Sequence, residues 1–169
     1  ILLGATSGIE VGTEQVWQYC EEASLPRLIF INKMDRENAD FNKIFDQLQA
    51  RWVGKTVALQ IPIGTYTSFT GVIDLLKMKA YICGKESDIP EDMKAAADGY
   101  RAKMVEAIAS ADDKLIEKFL GDEAISQEEL EAALKASVLS CKLVPIFTGS
   151  AIQNIGVTLL MEAIKHYLP

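Results

Sequence analysis

The chain has 169 residues, 49% of them hydrophobic, so it can bury a core of ordinary domain size. Its formal net charge of -7 argues against a surface that grips RNA or DNA through phosphates, and no direct nucleic-acid binding is expected. Cys20, Cys83 and Cys141 are far apart and form no Cys-x-x-Cys, as in a reducing compartment, and no apolar run approaches a membrane span.

Ile1 to Leu3 reads as a short strand that ends in the small-residue loop Gly4-Ala5-Thr6-Ser7-Gly8. An apolar strand at residue 1 suggests a part of a longer chain, with an unpaired edge that invites association. A helix is predicted over Thr13 to Ala23, with Val16, Cys20 and Ala23 on one face and Trp17 beside them. Leu28-Ile29-Phe30-Ile31 is a buried strand, followed at once by Asn32-Lys33-Met34-Asp35. Phe41, Ile44, Phe45 and Leu48 mark an amphipathic helix. Val57 to Ile61 reads as a third strand. Strand, helix, strand, helix, strand predicts an α/β fold with a parallel sheet and helices on both faces.

From Gly64 the pattern changes. Phe69 to Leu75 and Met78 to Ile82 read as two strands of a small antiparallel unit. Helices follow, the first with the apolar stripe Ala97, Tyr100, Met104 and Ile108, then a short one that carries Leu115, Phe119 and Leu120 and stops at Gly121. Ser126 to Glu129 forms a capping box before a helix carrying Leu130 and Leu134. Residues 64–140 therefore read as an inserted α+β subdomain, with 1–63 and 141–169 as the part it interrupts. Leu143 to Phe147 resumes the sheet, with Pro145 at an edge or where its missing N–H is spared. A closing helix from Gly156 to Leu168 turns Leu160, Ala163, Ile164 and Tyr167 inward. His166, the only histidine, reads as a surface residue.

The chemistry lies at the carboxyl end of the second strand, where open α/β sheets bind ligands. An ionised Asp35 can accept two parallel hydrogen bonds. Guanine offers such a pair at N1–H and its exocyclic amine, whereas adenine does not. Asn32 can donate to the other edge of the base and tie neighbouring loops. Lys33 can lay its stem along the ring face, and Met34 turns into the core. Strand ending and helix capping are the structural alternative for Asn32 and Asp35. Gly149-Ser150-Ala151 follows another buried strand. Gly149 allows close backbone approach, and Ser150 with the Ala151 N–H can donate to O6.

Together Asn32-Lys33-Met34-Asp35-Arg36, Ala39-Asp40-Phe41, Gln60 to Gly64, Gly71 to Leu75 and Gly149-Ser150-Ala151 resemble the GTPase domain of bacterial elongation factor G. Gly12 to Trp17 extends the resemblance to the front of the chain. It covers the later part of that domain. It implies a partial P-loop NTPase-type sheet with an inserted subdomain, GTP or GDP as ligand, and Asn32, Lys33, Asp35, Ser150 and Ala151 around the base. No Gly-x-x-x-x-Gly-Lys-Ser/Thr loop occurs in these 169 residues. The resemblance thus implies no catalytic or Mg²⁺-binding residue here, and hydrolysis only in a parent protein. It further implies a cytoplasmic, ribosome-associated parent that drives translocation, and an inserted subdomain that meets the ribosomal stalk protein. The acidic helix region with Glu91, Asp92, Asp98, Glu106, Asp112 and Asp113 is the candidate surface for that partner, with a merely solvated face as the alternative. Glu37-Asn38 replaces the family's usual Gly two residues after the motif's Arg, and the Cys83 to Asp88 segment is short. A ribosomal-protection or release-factor relative therefore stays open.

Overall fold

The computed structural model describes residues 1–121 and 123–169. Four strands form a parallel sheet: β1 (Leu2–Gly4), β2 (Ile29–Asn32), β3 (Thr56–Ala58) and β8 (Val144–Thr148), in the order β1-β2-β8-β3. The register sets Leu3 against Ile31, and Ile31 against Thr148. Helices α1 (Val11–Glu22), α2 (Phe41–Arg51) and α6 (Val157–Tyr167) flank this sheet. The continuous apolar run Ile29 to Ile31 is buried, as a strand covered on both faces requires.

The second unit is an antiparallel meander, β4 (Gln60–Ile63), β5 (Gly71–Asp74), β6 (Lys79–Ile82) and β7 (Lys85–Ser87). Three helices follow it: α3 (Lys94–Ser110), α4 (Asp113–Leu120) and α5 (Gln127–Leu139). Ser126 and Glu129 cap α5 reciprocally, and Asp112 caps α4 through the N–H groups of Lys114 and Leu115. The α3 stripe of Ala97, Met104 and Ile108 is buried as its spacing predicts. Arg101 on α3 donates to the carbonyls of Leu75 and Leu76, which joins the helices to the meander.

Three expectations change. The strand expected over Val57 to Ile61 is two strands in two sheets. The Leu59 N–H donates to Ile146 O, and the Leu59 carbonyl accepts from Leu75 N. Gln60 then pairs with Asp74, so one residue, Leu59, hands the chain from the parallel sheet to the meander. On α1 the inward side chains are Thr13 and Trp17, while Val16 is exposed. Trp17 stacks on Trp52 with ring centroids 4.0 Å apart, and the buried Arg27 guanidinium lies 4.2 Å from its ring. That stack sets the rotation of α1. In α6, Ala163 and Tyr167 are buried, whereas Ile164 is exposed and Leu160 half-buried.

Pro145 lies in a central strand, not at an edge. Val144 N donates toward β3, at Lys55 O, and Gly149 N donates toward β2, at Ile31 O. Odd-numbered positions of β8 therefore face β2. The missing Pro145 N–H falls one step before Ile146, where pairing with Ile29 begins. No ladder bond is lost.

Candidate functional site

The parallel pairing of β2 with β8 brings their carboxyl ends side by side. Both apolar strands stop there, and both continue into polar loops. Gly149 N donates to Ile31 O at 3.0 Å, and Met34 N donates to Gly149 O at 3.2 Å. The Thr148 hydroxyl donates to the same Ile31 carbonyl at 3.2 Å. The two loops are thus joined through backbone before any side chain acts.

Asn32 supplies the side-chain bridge. Its Oδ1 accepts from Lys33 N at 2.8 Å and from Ala151 N at 2.9 Å. Lys33 adopts a left-handed backbone, φ 68°, and its side chain is exposed. Met34 is wholly buried, as its position in the motif predicts. Arg36 N closes the turn onto Lys33 O at 3.1 Å. Asn38 also holds a positive φ, 63°, which Asn tolerates in place of Gly.

Asp35 carries the unusual chemistry. Its side chain is only 9% exposed. Its Oδ1 is buried with no hydrogen-bond partner among the described residues. Its Oδ2 lies 3.7 Å from Arg36 Nε, too far for a hydrogen bond. A buried carboxylate oxygen without a donor is costly, and strand-ending or capping would have supplied one. Helix α2 is capped by Asp40 instead, whose carboxylate accepts from Lys43 N at 3.0 Å.

The second loop differs from its expected roles. Ala151 N, expected to donate to the base, donates to Asn32. β8 ends at Thr148, level with Ile31, so its loop begins one residue before β2 ends at Asn32. Ser150 is wholly buried, and its hydroxyl oxygen accepts from Gln153 N at 3.3 Å. Its backbone exchanges hydrogen bonds with Ile155, both 3.0 Å. Gly149 serves close packing: a Cβ there would lie 2.2 Å from Ile155 O and 2.9 Å from Phe30 Cζ. Its small size is needed within the protein.

One contact has no counterpart in the sequence reading. Tyr66 N donates to Met34 O at 2.9 Å, from the turn that leads out of β4. The meander therefore braces the Asn32–Asp35 loop directly. The only local signal was the reciprocal cap of Thr65 and Ser68, which stiffens that turn. Asn32, Lys33, Asp35, Ser150 and Ala151 are thus brought together at one end of the parallel sheet. His166 is exposed on α6. No helix among the described residues is long and apolar enough to cross a membrane.

A sequence model of the family described as elongation factor Tu GTP binding domain matches residues 1–169. The chain is also similar to a crystal structure of a protein from Thermus thermophilus, with a TM-score of 0.89 and 30% identity. That match covers 99% of this chain and 26% of the Thermus chain, so the 169 residues span about a quarter of that relative.

Proposed function

From the chain's membership of the elongation factor Tu GTP-binding domain family, a guanine-nucleotide-binding domain of the translational GTPase type, we propose that Asn32, Lys33, Asp35, Ser150 and Ala151 hold the guanine base. The observation that carries this is the buried Asp35 Oδ1 with no donor. Guanine N1–H and its amine supply two donors to one carboxylate, a charge-assisted pair. The Asn32 amide, whose oxygen is engaged by two N–H groups, is left with its NH₂ to donate to the base. The Lys33 stem covers the ring. O6 competes with Asn32 for the Ala151 N–H, and Ser150 holds that loop from below.

The parent is proposed to be an elongation-factor-G-like GTPase, cytoplasmic and acting on the ribosome. Its inserted unit, 64–140, is proposed to meet the ribosomal stalk protein. In that region Glu91 pairs with Lys94 and Asp112 caps α4, while Asp92, Asp98, Glu106 and Asp113 are exposed and have no ion-pair partner among the described residues. Reversing Glu106 should weaken stalk-protein binding; unchanged binding removes this surface from the proposal. Among the described residues there is no group of three or more His, Cys, Asp or Glu side chains that could hold a metal ion. The chain alone is proposed not to hydrolyse GTP, and ribosome-stimulated turnover by it would refute this.

The test of base recognition is an amide NMR titration with guanosine and with adenosine. A nucleoside alone is expected to bind in the millimolar range, about 4 kcal/mol. Shifts at Asn32, Asp35 and Ala151 with guanosine only support the reading. Equal shifts with both nucleosides, or none with either, overturn it.

A further inference from the structure

A cavity of about 430 Å³ opens where Leu59 and Gln60 pass between the sheets, under α6 and beside α5. We propose that this cavity binds a small aliphatic ammonium compound, its charged end held by Asp74 and Glu131 and its chain lying on an apolar floor.

The floor is Leu59, Leu76, Phe147, Leu159 and Ala163. Two polar side chains, each more than nine-tenths buried, line the same space with bonding capacity unused. Tyr167 is 6% exposed, and its hydroxyl meets no hydrogen-bond partner among the described residues. Buried tyrosine hydroxyls ordinarily find one. Gln60 is 2% exposed; its Oε1 accepts from Thr148 N at 3.4 Å, while its NH₂ has no acceptor among the described residues. Neither atom is sealed from solvent, so each reaches it through the cavity that both residues line.

Three carboxylates, Asp74, Glu131 and Glu162, line the same cavity. Asp74 ends β5 and spends one oxygen on the N–H groups of Leu76 and Lys77, both at 2.9 Å. Burial pushes its pKa up. Burial first, then the charges of Asp74 and Glu131, pushes the Tyr167 hydroxyl up as well, and all three residues line the cavity. Asp74 and Glu131 are in no ion pair with a described residue, and Glu131 Oε1 accepts from Gln127 Nε2 at 3.0 Å. Lys77 and Lys165 stand exposed at the mouth, also without ion-pair partners among the described residues.

The geometry selects the ligand class. A ligand here has to donate to several of the oxygens that line the cavity. An ammonium does this with three donors, and the Tyr167 oxygen and the second Asp74 oxygen are acceptors. An anion would meet carboxylates inside. A diamine would bring its second charge against Lys77 and Lys165. The best fit is one ammonium, an alkyl chain, and an outer end that is neutral or anionic.

The probe is n-pentylammonium, titrated into the 169-residue chain at about 150 mM salt, where long-range attraction to the acidic surface is screened. Pentanol and pentanoate are the controls. Saturable shifts at the Gln60 side-chain amide, Lys77 and Tyr167 are expected, with pentanol at least about fivefold weaker. Glu131→Gln, at a half-buried position on α5, should weaken pentylammonium by about fivefold, and Tyr167→Phe by less. The Glu131 variant decides if the Tyr167 variant does not fold. Equal binding of pentanol, shifts spread linearly over the acidic surface, or an unchanged affinity in Glu131→Gln each overturns the proposal.

Discussion

Asn32 separates two roles that its motif combines, and two substitutions can pull them apart. Its oxygen holds Lys33 N and Ala151 N at 2.8 and 2.9 Å. Each such bond contributes about 0.5–1.5 kcal/mol net. Both N–H groups lie at the surface, where water replaces the lost acceptor, so Asn32→Ala should cost about 1–2 kcal/mol for the pair. Asn32→Asp keeps an acceptor at the same place. Its charge strengthens both bonds and is opposed by Asp35 nearby, so its stability should lie within about 0.5 kcal/mol of the parent. The donor to the base is gone in both variants, and guanosine should weaken about tenfold or more, the 1.4 kcal/mol of one lost bond. Urea unfolding followed by tryptophan fluorescence reads the first effect. The chain's two tryptophans are stacked on each other, so their signal reports native packing. Nucleoside titration reads the second. If Asn32→Asp is as unstable as Asn32→Ala, or Asn32→Ala is as stable as the parent, the bridge does not hold the loops and the reasoning fails.

Two further outcomes test the frame around the site. Gly149→Ala should cost more than about 3 kcal/mol, because the added Cβ meets the Ile155 carbonyl at 2.2 Å and both loops are fixed by backbone bonds; a urea midpoint near the parent's would show that the loop can open. Glu21 binds Lys55 and Arg27, and the Lys55 hydrogen bond, ahead of the Arg27 charge, holds its carboxyl below the ordinary value. A depressed folded pKa gives stability that is present above the unfolded value of 4.5 and lost as pH falls through the folded one. The parent should therefore exceed Glu21→Gln in stability at neutral pH and lose that advantage in acid; a difference constant down to pH ~3 would contradict this.

Much of the frame is readable from local pattern. Four apolar residues before Asn32 have nowhere to go but a covered strand, and Phe41, Ile44, Phe45 and Leu48 define one helix face without reference to anything else. The same holds for the Ser126 cap. What local pattern cannot carry is the choice of partner. Val57 to Ile61 is apolar at nearly every position, so nothing in it marks Leu59 as the residue where pairing passes from Ile146 to Leu75. On α1, Val16 and Trp17 are both apolar, and only a distant tryptophan, Trp52 at the end of α2, decides which of them turns inward. Within the site, the residue set came from side-chain chemistry, which is local. The Asn32 to Ala151 bond and the Tyr66 brace depend on how two loops and a distant turn meet, and no spacing encodes that. Gly149 shows the same limit: its need is set by Ile155 and Phe30, not by its neighbours in the motif.

Asp35 offers the sharpest test, because its two sides pull in opposite directions. As it stands, a carboxylate 9% exposed has one oxygen without a donor and the other 3.7 Å from Arg36. That arrangement costs the chain stability, and a group kept at such cost is a mark of function. Asp35→Asn removes the charge and keeps the shape. The chain should become more stable by about 0.5–2 kcal/mol, the relief of an unpaired buried group discounted for the nearby guanidinium. Guanosine should be lost, since an amide NH₂ now faces the exocyclic amine. Xanthosine should be gained, because its carbonyl at that position accepts from the new NH₂ while N1–H still donates to the amide oxygen. Stability by urea and affinity for the two nucleosides are read on the same variant. A structural aspartate would give the opposite pattern: its replacement would destabilise the chain by more than about 1 kcal/mol and leave nucleoside preference untouched. That result would remove Asp35 from the site and take the guanine reading with it.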